Sequence, residues 1–138
     1  MTIMKNKHAF EFDPHANPDK FYTVGNNRQV RRYTADHTNR MRVACYLHGH
    51  NIATFECLNA NRVEVFLTTC GFMTSTTRRA MNDFLREMGI KGRVSFAGGK
   101  MTVRYTDGPM RAREKDENQL GTLLFTVERD NSRVCADA

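Results

Sequence analysis

The stretch GFMTSTTRRAMNDFLREMG, residues 71–89, writes out a helix start, an amphipathic face and a helix stop in one run. Thr74, Ser75 or Thr76 each offers a side-chain oxygen to the unpaired N–H groups of a first helical turn, and composition does not choose among them. Thr77, Ala80, Met81, Phe84, Leu85 and Met88 recur at spacings of three and four, which places them on one stripe; Arg78, Arg79, Asn82, Asp83, Arg86 and Glu87 fall elsewhere. Gly89 supplies a residue able to take the left-handed conformation just past the last turn.

Working upstream, three strand signals precede this helix. Met41–Leu47 alternates apolar and polar positions, His48-Gly49-His50-Asn51 interrupts with turn chemistry, and Ile52–Cys57 resumes. Val63, Val65 and Leu67 then alternate with Glu64, Phe66 and Thr68 after a short link, so the three strands form an antiparallel meander. Before them, FYTVGNNRQVRRY (21–33) reads as a hairpin turning at Gly25-Asn26-Asn27. Phe10 and Phe12 flank Glu11 in what reads as a short edge strand ending before Pro14.

Downstream, Ala97-Gly98-Gly99-Lys100 joins Arg93–Phe96 to Met101–Tyr105 as a second hairpin that extends the same sheet. RAREKDENQL reads as a short polar helix, and TLLFTV (122–127) as a last strand. The expected fold class is α+β: an antiparallel sheet, made of a three-stranded meander and then a C-terminal hairpin, packed against one central helix. Residues 1–20 are expected to be a flexible N-terminal arm, 21–127 a single domain and 128–138 a polar tail.

A chain of 138 residues and 15.9 kDa suits one core rather than two. No run approaches the apolar length of a membrane span and MTIMKNKHAFEFDP lacks the apolar centre of a secretory signal, so a cytoplasmic location without membrane contact is expected. The net charge of +6 is uneven: residues 1–40 carry +3, residues 41–105 carry +5 and residues 106–138 carry −2. The basic body favours an acidic partner such as DNA or RNA.

Within that body, the helix start is the best candidate for gripping a phosphate. Thr74, Ser75, Thr76 and Thr77 add hydroxyls to free N–H groups at the positive end of the helix dipole, and Arg78 and Arg79 add full charges. The competing explanation is that Ser and Thr are ordinary caps and the arginines ordinary solvated side chains. Basic strands with aromatics give a second possibility. Arg42 and Arg104, with Tyr46 and Tyr105 beside polar neighbours, suit stacking and phosphate contact on the sheet face away from the helix.

Cys45, His48, His50 and Cys57 are correct ligand types for zinc, but their spacing matches no compact zinc pattern, and core cysteines beside turn histidines explain them better. A thiol–imidazole pair drawn from Cys45 or Cys70 and His48 or His50 has no third orienting group, and GxxxxGK[ST] is absent. No catalytic residue, metal or cofactor is therefore assigned, and an enzyme is not expected.

Leu47-His48-Gly49-His50-Asn51-Ile52-Ala53, followed by Gly71-Phe72-Met73-Thr74-Ser75-Thr76-Thr77-Arg78-Arg79-Ala80-Met81-Asn82, resembles small proteins encoded by tailed bacteriophages. That group pairs an LHG-x-x-IA strand turn with a G-aromatic-x-T-x-TT-[RK] helix start. This chain departs from it with Phe72 in place of Trp, and with Ala80-Met81 where Arg-Leu often precedes the Asn. The resemblance covers residues 40–90 and implies a phage origin and expression in a bacterial cytoplasm, but transfers no activity. Two functions fit the reading. One is a non-enzymatic nucleic-acid-binding accessory protein; the other is an effector that binds and redirects a host protein. The oligomeric state is left open.

Overall fold

The structure, a computed structural model, describes residues 4–108 and 111–128. In chain order its elements are a 3-10 turn (Lys7–Phe10), β1 (Phe21–Gly25), β2 (Arg28–Thr34), β3 (Met41–Leu47), β4 (His50–Cys57), β5 (Arg62–Thr68), α1 (Ser75–Glu87), β6 (Gly92–Ala97), β7 (Lys100–Thr106), β8 (Ala112–Asp116) and β9 (Thr122–Glu128). The class is α+β, mostly antiparallel sheet with one helix among the described residues.

The sheet is larger than the sequence suggests. Six strands run in the order β1-β2-β3-β4-β5-β9, because the meander gains the β1–β2 hairpin on one side and β9 on the other. The pairing of β5 with β9 is continuous from Arg62↔Glu128 to Thr68↔Thr122. Leu123, Phe125 and Val127 thereby join Val63, Val65 and Leu67 on one buried face. With that edge occupied, the β6–β7 hairpin does not extend the main sheet as expected. It forms a second, three-stranded sheet in the order β6-β7-β8.

The segment expected to be a polar helix is β8. All five of its residues are exposed, so no apolar stripe could dock a helix there, while its backbone completes β7 from Thr102↔Asp116 to Thr106↔Ala112. Cross-strand charges follow that register, with Arg104 and Glu114 2.8 Å apart.

The N-terminal segment also differs from expectation. Phe10–Phe12 is not an edge strand: Lys7–Phe10 is a 3-10 turn, and Met4, Ala9, Phe10 and Phe12 are buried in the common core. The backbone N–H of Lys5 donates to Val24 O (2.9 Å) and the Asn6 side chain to Thr23 O (2.8 Å), so this segment covers the outer edge of β1 rather than trailing as an arm. Of the expected polar tail, only Glu128, the end of β9, lies within the described residues.

The helix follows its sequence closely. Thr74 is the cap, in extended conformation, its hydroxyl accepting from the Thr77 N–H at 3.2 Å. Gly89 takes φ 73 and its N–H returns to Arg86 O. Ala80, Met81, Phe84, Leu85 and Met88 are all fully buried over the sheet. Asp83 and Glu87, outside the apolar stripe, are nonetheless buried; the Arg28 guanidinium reaches from β2 to pair with Asp83.

Asn82 fastens the small sheet to the helix. Its amide oxygen accepts from the Val94 N–H (2.7 Å) and its amide nitrogen donates to Val94 O (3.1 Å), standing in for a strand beside β6. Asn82→Ala takes the partner from both backbone groups of Val94, a fully buried residue, and the expected loss is about 2–3 kcal/mol in denaturant unfolding.

Candidate nucleic-acid interface

Two of the four hydroxyls at the helix start, those of Thr74 and Thr77, are already engaged within the protein. Thr74 is committed to its capping bond and lies 3.1 Å from the Thr77 hydroxyl, and Thr77 is only 2% exposed. Ser75, Thr76 and Arg79 are exposed and Arg78 half-buried. The other candidates are elsewhere. Arg42 and Tyr46 lie on the face of the main sheet away from α1, whereas Arg104 is on the outer face of the small sheet, paired with Glu114. Tyr105 points inward from the opposite face of β7 and stacks on Phe125 with centroids 4.3 Å apart, so it is a core contact. The expected residues therefore fall into four separate places: the helix start, the open face of the main sheet, the outer face of the small sheet and, for Tyr105, the core.

The open face of the six-stranded sheet is the most distinctive of these. Direct cross-strand partners make one unbroken row across all six strands: Phe21, Arg31, Ala44, Thr54, Phe66 and Leu124. Phe21, Phe66 and Leu124 are exposed by 48%, 38% and 45%. Four strand spacings separate Phe21 from Phe66, which is about 19 Å. Beside this row stand Tyr33, Arg42, Glu56 and Glu64 on one flank and Tyr46 on the other.

Rings and cations alternate on the β1–β3 side. The Tyr46 ring meets Phe21 edge-on at 5.4 Å; the Arg31 guanidinium lies 5.7 Å from the Phe21 centroid and 4.5 Å from that of Tyr33; Arg42 lies 5.9 Å beyond Tyr33. A hydrogen bond with Tyr33 and pairing with Glu56 raise the Arg42 guanidinium above its ordinary value, against the opposing effect of burial. Arg42 Nε donates to Glu56 at 2.6 Å, and Arg40 approaches the same carboxylate at 3.5 Å. Glu56 is thus held by two cations, while Glu64 and Glu128 place negative charge toward β5 and β9. The face has a basic, aromatic half and a more acidic, apolar half.

Of the residues on this face, the sequence singles out Arg42 and Tyr46 but not Phe21, Arg31, Tyr33 or Phe66. Alternation carries the signal for Phe66, which follows Glu64 and precedes Thr68 on the polar side of β5. Phe21 opens its strand and has no preceding alternation to place it.

The candidate zinc ligands lie apart in kind. Cys45 and Cys57 are buried on the core face, and His48 and His50 are exposed on the turn between β3 and β4. Burial pushes the Cys45 thiol well above its ordinary value, which suits a core residue rather than a ligand or nucleophile. Among the described residues, no helix is long and apolar enough to cross a membrane.

No curated protein and no solved structure matches the chain. A family described as Kyanoviridae Gp96 protein matches residues 20–125, from just before β1 into the first half of β9, and so covers β1 to β5 of the open face and part of β9. That span is well over half of the 138 residues, and the chain belongs to this bacteriophage protein family.

Proposed function

We propose that this phage protein binds single-stranded nucleic acid, without catalysing a reaction, on the open face of its six-stranded sheet. The observation that carries the reading is the row from Phe21 to Leu124, with exposed rings near both ends and arginines stacked against the rings of its β1–β3 half. Bases of any sequence stack on such rings, and Arg31 and Arg42 are the cations placed to meet the phosphates between them. A duplex hides its base faces, so single strands are the expected ligand.

Fluorescence anisotropy with labelled single-stranded and duplex DNA and RNA tests this. Phe21→Ala/Phe66→Ala is expected to weaken single-strand binding by about tenfold or more, since each lost stack is worth about 1–3 kcal/mol. Two phosphate contacts give a shallow salt dependence, with log K falling by about 1.4 per log unit of salt. Equal affinity for duplex, together with an unchanged double variant, refutes the sheet face as the site. Arg78→Ala/Arg79→Ala separates it from the helix start: binding is kept if the sheet is the site and lost if the helix start is.

Phe66 and Leu124, directly opposite one another and both exposed, favour a second reading as the contact of a host-protein effector. A pull-down from nuclease-treated bacterial lysate discriminates. One stoichiometric protein retained by the parent and lost in Phe66→Ala/Leu124→Ala supports the effector.

A further inference from the structure

Within the two stretches that carry the phage-like pattern, 47–53 and 71–82, Asn51 borders the open face beside Thr54 and Tyr46, whereas Leu47, His48, His50, Ile52, Phe72 and Thr76 turn elsewhere. The two stretches meet around a cavity of about 360 Å³ between the β3–β4 turn and the start of α1. Two pairs of left-handed residues bring them together: His48 and Gly49 (φ 50 and 80) reverse the chain between the strands, and Cys70 and Gly71 (φ 52 and 84) reverse it before the helix. We propose that this cavity binds one flat, uncharged heteroaromatic ring of the nucleobase class, either as a free nucleoside or as an unstacked base of a strand.

Its lining argues for that chemistry. Leu47 and Ile52 make a buried apolar floor. Phe72 forms a wall, 51% exposed and with its ring 5.1 Å from that of His50. A half-exposed phenyl ring set against an imidazole presents aromatic surface to a planar guest. The rim is polar: Thr74, Thr76 and the two histidines. Hydroxyl and imidazole groups can each present a donor and an acceptor, which matches the mixed edge of a base. Thr76 is exposed and its hydroxyl bonds to no described residue.

No Lys, Arg, Asp or Glu lines the cavity, so a charged guest would meet no counter-ion. Arg78 and Arg79 in particular do not border it, which separates this site from a phosphate grip at the same helix end. The volume lies near the lower limit of small-molecule sites, about 300–1,000 Å³. One base, with or without its sugar, suits that space better than a larger cofactor.

The site stands independently of the sheet-face reading and is tested apart from it. Isotope-labelled protein is titrated with adenosine, guanosine, cytidine and uridine singly, and with a short mixed-sequence oligonucleotide, while amide shifts of Ile52, Thr76 and Thr77 are followed. Saturable shifts with a nucleoside support the free-ligand source; saturable shifts with the oligonucleotide alone support the strand source. Phe72→Ala is expected to weaken either by about tenfold through loss of the aromatic wall. Thr76→Tyr, at an exposed first-turn position, is expected to fill the mouth and abolish the shifts while circular dichroism keeps the parent spectrum. The proposal is overturned if no probe gives saturable shifts, or if both variants bind as the parent does. Phe21→Ala/Phe66→Ala, which removes the rings of the sheet face, is expected to leave the shifts at the cavity unchanged, so the two sites succeed or fail separately.

Discussion

Phe10→Ala is expected to destabilise the protein by about 3–5 kcal/mol, the usual cost of deleting a fully buried phenyl ring. Phe10 is completely inaccessible, and its ring lies 6.2 Å from that of Phe84 on the inner face of α1. Met4, Ala9 and Phe12 share the same cluster. Their burial adds the N-terminal segment to the core that α1 and the sheet enclose. Denaturant unfolding gives the measurement, with the shift appearing in the midpoint and not in the slope. A change below about 0.5 kcal/mol, the range of exposed substitutions, would show that the segment is the free arm suggested by its composition.

Arg28→Met is expected to cost about 3 kcal/mol, because it leaves the Asp83 carboxylate buried without its main partner. Arg28 is 8% and Asp83 9% exposed, and the pair joins β2 to the middle of α1. Arg86, one turn along and 3.1 Å from the other carboxylate oxygen, gives partial relief, which sets the expectation at the lower end of the range for broken buried pairs. The companion Arg28→Met/Asp83→Leu is expected to recover most of the loss, since apolar residues of similar volume can replace a buried ion pair at little net cost. Equal destabilisation by the single and double variants would show that Arg28 acts through the packing of its stem and not through its charge.

The helix was legible because its information is local: cap, stripe and stop all lie within residues 71–89, and each has a mechanism that works without a tertiary partner. The strands were legible as strands for the same reason, but not their neighbours. Alternation in TLLFTV says which side chains share a face, whereas pairing with β5, more than fifty residues earlier, is decided by which edge is free. β8 carried no side-chain signal at all, since both of its faces are exposed and its place depends on backbone hydrogen bonds to β7. Asp83 falls outside the apolar stripe, and its pairing with Arg28 was not legible because that partner is 55 positions away.

The candidate sites follow the same division. Tyr46 and Tyr105 have similar local patterns, yet they belong to different sheets, and only the layer that each strand joins turns Tyr105 inward onto Phe125. The hydroxyls of the helix start were visible, but their mutual bonding was not, because Thr77 belongs at once to the first turn and to the buried stripe.

The paired bonds between Asn82 and Val94 make the docking of α1 and the closing of the β6 edge a single event. During folding, the small sheet is open to pairing with another chain until the helix arrives. Any fluctuation that lifts α1 reopens that edge at the same moment. Association between copies should therefore track the local opening of the helix rather than global unfolding, and a hydrogen-exchange profile of Val94 would report the population at risk.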